Sequence, residues 1–349
     1  MKKIEEIDKN LLVNSGLKTE GTKIYDINNE PFKIYGVTYN SKVGNYVRLE
    51  PEIAKTVNDG VKALNNHTAG GRVRFTTNSK YLGIRAILPS VGRMPHFALT
   101  GSAGFDLYTD DGDTQKYLKS FIPQSAMTDT LESQTVLSGN ECTYTINFPL
   151  YSSVKSLYIL LDEDATLSAP QPYKQEKPVV FYGSSITQGG CASRPGNSYQ
   201  GMLCSKYSFN YINLGFSGNA RGEKEIAEYI AGLDMSVFVY DYDHNAPSID
   251  HLRETHEPMF KIIREKNPEL PIICMCRPYP INNERRQIIM DTVKNAKAKG
   301  DKNVYFVDTA VKITEMGLAD NITVDACHPN DLGFYCMAKV LEEYFEKLL

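Results

Sequence analysis

Three hydroxyl residues directly after a short apolar run are the first candidates for chemistry in this sequence. Residues 179–182 read Val-Val-Phe-Tyr, and Ser184, Ser185 and Thr187 follow among glycines. A strand of a parallel sheet that is covered on both faces is apolar throughout, and α/β proteins bind ligands just beyond the carboxyl ends of such strands. The run therefore predicts a buried strand that ends in a functional turn, although a Ser/Gly-rich surface loop has a similar composition.

A carboxylate and an imidazole near the other end of the chain could activate a serine hydroxyl. Asp325 and His328 are three residues apart, just before a final amphipathic segment. In a turn or a first helical turn this spacing places both side chains on one face, so the carboxylate can accept a hydrogen bond from the imidazole and fix its tautomer. A serine needs such a base because its hydroxyl is a poor nucleophile. Asp-x-x-His alone is also typical of surface pairs, and it indicates a catalytic site only together with the strand-end serine.

Four short blocks of the sequence resemble the GDSL (SGNH) hydrolases, and they occur in the order found in that family. The resemblance extends from about residue 178 to residue 349, and four blocks in order are far more specific than any one of them. The blocks are residues 183–187 (Gly-Ser-Ser-Ile-Thr), 215–219 (Gly-Phe-Ser-Gly-Asn), 243–245 (Asp-His-Asn) and 325–328 (Asp-Ala-Cys-His).

This resemblance implies a role for each matching residue. Ser185 matches the nucleophile, His328 the general base and acid, and Asp325 the residue that orients the histidine. The backbone N–H groups of Ser185 and Gly218 and the side-chain amide of Asn245 match the donors of the oxyanion hole. The chemistry needs neither a cofactor nor a metal, so we expect none.

Two positions depart from the family pattern. Ser184 stands where the family usually has Asp, and we expect it to form local hydrogen bonds in the turn. In the third block Asp243 and His244 precede Asn245, whereas the family usually has Gly shortly before this Asn. His244 is thereby a second candidate base, but we favour His328 because it has a carboxylate at the spacing that orients an imidazole.

Composition and charge are those of an ordered globular protein. With 42% hydrophobic and 23% charged residues, the 349-residue chain has enough apolar surface for two cores. A formal net charge of -4 gives no reason to expect nucleic acid or an anionic membrane as a partner, and no run is long enough for a membrane span. The first ten residues lack the apolar core of a secretory signal, so we expect a cytoplasmic protein. The seven cysteines form no C-x-x-C pair and are expected to be free thiols.

The first half of the chain alternates apolar and polar residues. This period of two occurs in residues 72–76 and 143–148 and is typical of strands with one buried and one solvated face. Glycine- and aspartate-containing turns separate the runs, and few stretches have a helical period. We expect residues 1–168 to form an N-terminal antiparallel β-sandwich of jelly-roll type.

A second resemblance lies within this half. Residues 104–108 (Gly-Phe-Asp-Leu-Tyr) resemble the G-x-D-L-Y signature of a module that precedes some GDSL hydrolases. The alternation alone predicts that Phe105 and Leu107 face inward, as in any sandwich strand. Just upstream, a proline-stiffened loop carries Arg93 and His96 and could lean over the pocket of the neighbouring domain, although a surface loop would read the same.

The second half alternates between apolar runs and helical patterns. Residues 169–178 contain three prolines and predict a stiff linker, after which residues 179–349 predict a doubly wound parallel sheet of the flavodoxin type. Ser185, Gly218 and Asn245 each follow the carboxyl end of a predicted strand. The predicted strands are residues 179–182, 211–214, 237–240, 272–275 and 304–307, and the predicted helices include residues 223–231, 258–265, 283–299 and 331–349.

Three further side chains could contact a substrate: Arg194 in a loop after the first block, Arg277 at the end of a strand, and His96 in the rim loop. Solvated loop arginines would have the same sequence context. Tryptophan is absent, so stacking on a sugar would fall to some of the 22 tyrosines.

Together these features predict a serine esterase that uses an acyl-enzyme intermediate. The resemblance implies short acyl groups, above all acetyl, on carbohydrates, with an acetylated sugar or oligosaccharide as the partner molecule. A thioesterase or a short-chain lipid esterase would use the same residues. A carbohydrate-binding protein with a silent hydrolase fold is a further alternative, supported only by Ser184.

Overall fold

A computed structural model describes residues 4–9, 12–13 and 16–349, and antiparallel strands dominate its first half. The strands are β1 (Thr22–Asp26), β2 (Lys33–Tyr35), β3 (Thr38–Asn40), β4 (Asn45–Val47), β5 (Arg72–Thr77), β6 (Tyr81–Ile87), β7 (Phe105–Asp110), β8 (Gln115–Phe121), β9 (Thr130–Val136), β10 (Cys142–Asn147), β11 (Ser156–Asp162) and β12 (Leu167–Ser168). Short helices accompany them, namely α1 (Ile4–Ile7), α2 (Pro51–Val57), α3 (Asp59–Leu64) and α4 (Leu99–Ser102).

Two sheets form the predicted sandwich. One has the strand order β1-β11-β6-β9, and the other has the order β12-β5-β10-β7-β8 with β2 also paired to β5. Every pairing in them is antiparallel. Side chains from both sheets share one core, in which Phe75, Ile84, Phe105, Leu107 and Ile159 are fully buried. The antiparallel architecture and the inward direction of Phe105 and Leu107 are thus confirmed, while the jelly-roll connectivity stays a prediction.

Five parallel strands, in the order β14-β13-β15-β16-β17, form the sheet of the second half. This is the predicted flavodoxin-type order, in which the first two strands exchange places. The strands are β13 (Gln175–Gly183), β14 (Phe209–Gly215), β15 (Val237–Asp241), β16 (Ile272–Met275) and β17 (Val304–Val307). The helices are α5 (Ser185–Gln188), α6 (Tyr199–Tyr207), α7 (Lys224–Ala231), α8 (Ile249–Lys266), α9 (Asn283–Ala298), α10 (Thr309–Glu315) and α11 (Asp331–Leu348). Along the described residues, none of these helices combines the length and apolarity that crossing a bilayer requires.

The interior strand β13, which lies between β14 and β15, explains why the first apolar run is continuous. Val179 and Phe181 belong to the core on one face of the sheet, and Val180 and Tyr182 belong to the core on the other. Both faces are therefore covered, as expected for a parallel sheet. The strand begins at Gln175, inside the predicted linker.

One predicted helix start was wrong. The pattern predicted a helix over residues 258–265, but α8 begins at Ile249 and contains Pro258 in its interior. The side chain of Ser248 caps this helix by accepting a hydrogen bond from the His251 N–H group. Capping and the apolar face of the helix outweigh the cost of the interior proline.

The prediction of a solvated outer face for residues 72–76 was also wrong. Arg72 and Arg74, which point away from the sandwich core, are buried because the second half of the chain covers this face. Arg72 donates hydrogen bonds to the Asn210 side chain at 2.9 Å and to the Tyr211 carbonyl at 3.2 Å. Arg74 forms an ion pair with Asp110 at 2.6 Å. The alternating pattern was correct, but its polar positions form an interface.

A second part of the interface consists of helices rather than strands. Ala54 of α2 and Val61 of α3 belong to the same core as Ile226 of α7 and Phe260 of α8. Just before α2, the buried Arg48 donates hydrogen bonds to backbone carbonyls of the second half, and burial lowers its pKa to about 9. Residues of the first half thereby complete the core beside the parallel sheet.

The G-x-D-L-Y segment supplies a third contact. Asp106 is fully buried, and its carboxylate accepts hydrogen bonds from Arg194 at 3.1 Å and from the Gly196 N–H group at 2.9 Å. Tyr108 also contacts Arg194, whose guanidinium lies over the ring of Tyr117 at 4.0 Å. While Phe105 and Leu107 face the sandwich core, the alternate residues of the motif hold the two halves together.

We expect Asp106→Asn to destabilise the protein strongly. The substitution leaves Arg194 without its carboxylate in a mostly buried site, which typically costs about 3 kcal/mol. Chemical denaturation monitored by circular dichroism would measure the change in the free energy of unfolding. Glu52→Gln is the matched control, because the Glu52–Lys55 pair is solvent-exposed and such pairs contribute little to stability. Equal effects of the two substitutions would contradict this role for Asp106.

Candidate active site

The predicted nucleophile lies in the turn between β13 and α5. Ser184 caps α5, because its hydroxyl oxygen accepts a hydrogen bond from the Ile186 N–H group at 3.1 Å. This is the local hydrogen bond expected where the family usually has Asp. Ser185 is the first residue of α5, so its own N–H group is among those that a helix leaves without an intrahelical partner.

His328 connects Ser185 to Asp325 through two hydrogen bonds. The Ser185 hydroxyl lies 3.0 Å from Nε2 of His328, and Nδ1 of the same ring lies 2.7 Å from Oδ2 of Asp325. A neutral imidazole that donates from Nδ1 to the carboxylate leaves the Nε2 lone pair free to accept the serine proton. This geometry is the one that a serine needs for activation, and it joins residues that are 143 positions apart.

A tight turn fixes the Asp325–His328 pair. Ala326 has a φ of +63°, and the N–H groups of Cys327 and His328 both donate to Oδ1 of Asp325, at 3.1 and 2.7 Å. Partial burial alone would raise the pKa of the Asp325 carboxyl, but the hydrogen bonds from His328 and Cys327 outweigh it and lower the pKa below its usual value. Asp325 is therefore kept as a carboxylate that can stabilise a protonated imidazole.

The two predicted oxyanion-hole residues lie in neighbouring loops. Gly218 has a φ of +68°, a conformation that favours glycine, and a Cβ atom there would have no neighbour within 4 Å. The Asn245 side-chain amide donates to the Phe216 carbonyl at 2.9 Å, which ties the third block to the second. An amide nitrogen has two hydrogens, so the second can be directed at another acceptor. The role of Gly218 and Asn245 as oxyanion donors stays a prediction.

His96 of the rim loop lies beside this triad. Its Nε2 atom is 3.9 Å from Oδ2 of Asp325, and its ring centroid is 5.9 Å from that of His328. The His96 side chain is 43% exposed, so it lies at the open side of the site. Arg93 of the same loop instead donates to the carbonyls of Ser125 and Met127. The β-sandwich half thus contributes a side chain to the catalytic region.

The two arginines predicted to contact substrate have protein partners. Arg194 pairs with Asp106 in the interface described above. Arg277 forms an ion pair with the buried Asp243 at 2.9 Å and also donates to its carbonyl. Arg277 therefore holds the loop that carries Asn245. Its partner in that loop, Asp243, is one of the two residues that depart from the family pattern there. Neither arginine has a hydrogen bond to the triad in the described part of the chain.

The contacts of His244 do not suit a catalytic base. Burial lowers its pKa, and its Nε2 atom lies 3.1 Å from the Tyr279 carbonyl, to which a neutral ring can donate. In this tautomer His244 holds a backbone segment. The assignment of His328 as the base, made from its spacing to Asp325, agrees with the hydrogen bonds of both rings.

Two residues of the first half, Tyr151 and His67, form hydrogen bonds with the segment that contains Ser185, and neither was predicted from the sequence. The Tyr151 hydroxyl donates to the Ser185 carbonyl at 3.2 Å. The side-chain nitrogen of Gln188 lies 3.3 Å from Nδ1 of His67. Its side-chain oxygen accepts a hydrogen bond from the Ser217 N–H group at 3.0 Å. Burial lowers the pKa of His67 to about 4, so the ring is neutral and its Nδ1 atom can accept from Gln188. These partners are distant in sequence and belong to no motif, so no local signal could have identified them.

A buried thiol, that of Cys191, lies within 4.8 Å of a ring nitrogen of His328. Cys191, six residues after the nucleophile, is 7% exposed and has a φ of +79°. Burial raises its pKa to about 12, which keeps it as a thiol. All seven cysteines are free, as predicted.

Comparisons with known proteins agree with this architecture. A model of the GDSL-like lipase/acylhydrolase family matches residues 176–346, and a model of the N-terminus of SGNH-hydrolase-type esterases, named GxDLY, matches residues 22–167. A search of curated proteins gave no match.

Solved structures extend the similarity over both halves. A crystal structure described as a GDSL-like lipase from Bacteroides ovatus is 29% identical, with a TM-score of 0.82, and the match covers 94% of this chain and 98% of that one. The salicylyl-acyltransferase SsfX3 from a tetracycline biosynthetic pathway is 17% identical, with a TM-score of 0.77 and coverage of 95% and 98%. A family two carbohydrate esterase from Clostridium thermocellum, solved with cellohexaose, is 14% identical, with a TM-score of 0.56 and coverage of 80% and 92%. The last two show a shared fold.

We expect Tyr151→Phe to slow turnover of an acyl substrate roughly three- to tenfold, since losing one hydrogen bond of about 1 kcal/mol lets the nucleophile turn relax. Steady-state kinetics would give kcat and KM separately, and kcat should fall. Tyr240→Phe is the matched control, because it removes a buried hydroxyl that donates to the His256 carbonyl, away from α5. The control should lose similar stability but keep its kcat. A kcat for Tyr151→Phe equal to that of the control would show that the contact is only structural.

Proposed function

We propose that Ser185, His328 and Asp325 form a catalytic triad in this chain, whose second half belongs to the GDSL-like lipase/acylhydrolase family and whose first half matches the N-terminal module of SGNH-type esterases. The observation that carries the proposal is the pair of hydrogen bonds at 3.0 and 2.7 Å through His328. The activity is hydrolysis of a carboxylic ester in two steps.

In the first step His328 removes the proton of the Ser185 hydroxyl through Nε2 as the serine oxygen attacks the ester carbonyl. The protonated imidazole is stabilised by Asp325, and it then gives its proton to the departing alcohol, which leaves an acyl group on Ser185. In the second step His328 takes a proton from water as the water oxygen attacks this acyl-enzyme. The carboxylic acid product departs, and the proton returns to Ser185.

The tetrahedral intermediate of each step places a negative charge on the former carbonyl oxygen. Donors suited to that charge are the N–H groups of Ser185 and Gly218 and the amide of Asn245. The N–H of Ser185 lies at the start of α5, and the left-handed conformation of Gly218 sets the direction of its peptide group. Preorganised donors of this kind stabilise the transition state because they need not reorient during the reaction.

The surroundings of the triad favour a short acyl group on a polar alcohol. His96 lies beside the triad, His244 is close enough to interact electrostatically with His328, and the side chains of His328 and Asp325 are themselves 24% and 33% exposed. An acetyl group needs little apolar surface, whereas a long acyl chain needs a groove that buries its methylenes. We therefore propose acetylated carbohydrates as the substrate class, with His96 at the side of the site where the sugar would lie. Carbohydrate esterases that share the fold motivate the choice of test substrates.

The decisive test compares p-nitrophenyl acetate, p-nitrophenyl butyrate and acetylated xylo- and manno-oligosaccharides as substrates. We expect hydrolysis of acetate esters by the wild-type protein and no activity above background for Ser185→Ala. Ser184→Ala is the matched control, since it removes the neighbouring hydroxyl and a helix cap but not the nucleophile. A folded Ser185→Ala variant with wild-type activity would refute the triad, and activity only on an acetyl thioester would replace the ester substrate by a thioester.

We expect Asn245→Ala to lower kcat by about two orders of magnitude with little change in KM. Removing one oxyanion donor typically costs about 3 kcal/mol in the barrier. Asn219→Ala is the matched control, because the Asn219 amide also donates to a carbonyl of the same loop, that of Ser217, at 2.7 Å. If both variants lose the same small amount of activity, Asn245 only shapes the loop.

A further inference from the structure

Three potential metal ligands from different parts of the chain meet at the open side of the triad. One nitrogen each of His96 and His328 and the sulfur of Cys191 all lie within 4.8 Å of one another. His96 comes from the β-sandwich half, Cys191 from the loop after α5, and His328 from the turn before α11. Only His328 has a role in the proposed reaction.

We propose that His96, Cys191 and His328 form a binding site for a thiophilic divalent cation such as Zn²⁺, and that the bound ion reversibly switches the esterase site off. The site goes beyond the proposed function, which needs no metal. It depends on that function only for the inhibition that it predicts, because the binding itself can be measured on an inactive variant.

The donor set is one that zinc prefers. Imidazole nitrogen and cysteine sulfur are its usual protein ligands, and three of them leave a fourth tetrahedral position for water. His328 already has the outer partner that metal-binding histidines usually have, since Asp325 accepts the hydrogen bond of its Nδ1 atom at 2.7 Å. This partner fixes the ring so that Nε2 faces the site, which is the orientation that a metal ion requires.

Small side-chain movements can close the site around an ion. Zinc–nitrogen distances of about 2.0–2.1 Å and zinc–sulfur distances of about 2.3 Å place tetrahedral ligand atoms roughly 3.3–3.8 Å apart, somewhat closer than the 4.8 Å limit observed here. His96 is 43% exposed, so its ring can turn toward the other two ligands. Cys191 is held in the left-handed region at a φ of +79°, a costly conformation for a residue with a side chain. It places the thiol beside the catalytic histidine.

Ion binding would stop catalysis for a simple reason. When Nε2 of His328 donates its lone pair to the metal, it can no longer accept the proton of Ser185, and the hydrogen bond of 3.0 Å between them is lost. The sulfur of Cys191 binds as a thiolate, so its proton passes to the solvent as the metal–sulfur bond forms. When a chelator removes the ion, the Cys191 thiolate takes up a proton from the solvent. The Ser185–His328 hydrogen bond then forms again.

Binding can be tested on Ser185→Ala, which keeps all three ligands but lacks the nucleophile. We expect isothermal titration calorimetry with ZnCl₂ to show one site per chain and the additional substitution Cys191→Ala to weaken that site at least tenfold, since even outer-shell partners contribute 10- to 100-fold in affinity. Cys327→Ala is the matched control. Its thiol is next to His328 in sequence but outside the ligand group, so the substitution should leave zinc affinity unchanged. No binding by Ser185→Ala, or equal affinity with and without Cys191, would overturn the proposal.

Inhibition is tested on the active protein with p-nitrophenyl acetate, with each variant normalised to its own metal-free rate. We expect ZnCl₂ to inhibit the wild type and Cys327→Ala alike, EDTA to reverse the inhibition, and Cys191→Ala and His96→Ala to need at least tenfold more zinc. Inhibition that is equal in Cys191→Ala would place the ion elsewhere. Zinc binding by a protein that hydrolyses no ester would leave the metal site standing and refute only the proposed function.

Discussion

The hydrogen bond between Ser185 and His328 sets the strictest demand on this structure. Two side chains that are 143 residues apart must stay at 3.0 Å, which requires a rigid framework on both sides of the contact. The parallel sheet meets the demand for Ser185, because β13 is paired on both edges, with β14 and β15, and both of its faces are buried. For His328 the demand is met by a turn in which Asp325 accepts two backbone N–H groups.

The β-sandwich half is part of the same framework. Its Tyr151 donates a hydrogen bond to the Ser185 carbonyl, its His67 contacts Gln188 of α5, and its His96 lies beside Asp325. Buried arginines secure the arrangement, because Arg48 and Arg72 donate to backbone carbonyls of the second half and Arg194 pairs with the Asp106 carboxylate. The module in front of the parallel sheet therefore contributes side chains to the region of the proposed triad, and we expect substrate preference to depend on both halves.

How far the sequence predicts this structure differs between local and distant features. The parallel sheet, the spacing of Asp325 and His328 and the local hydrogen bond of Ser184 depend on neighbours in sequence, and all could be inferred from short patterns. The burial of Arg72 and Arg74 could not, because an alternating strand looks the same whether its polar face meets water or another domain. Tyr151 and Gln188 were missed for the same reason, since a single hydroxyl or amide has no periodicity. His96 was predicted as a residue of the rim loop that could contact a substrate, but its position beside Asp325 depends on how the two halves pack.

The helix pair α2–α3 has a consequence for how the molecule is made. Ala54 and Val61 are encoded early but are buried against Ile226 and Phe260, which belong to α7 and α8. A growing chain on the ribosome therefore presents an apolar helix pair and the cationic Arg48 for as long as it takes to add some two hundred further residues. The sandwich can assemble its own core in that interval, but the surface that will meet the parallel sheet stays uncovered. Completion of the molecule is thus a late event, and chaperones have a defined patch to protect until then.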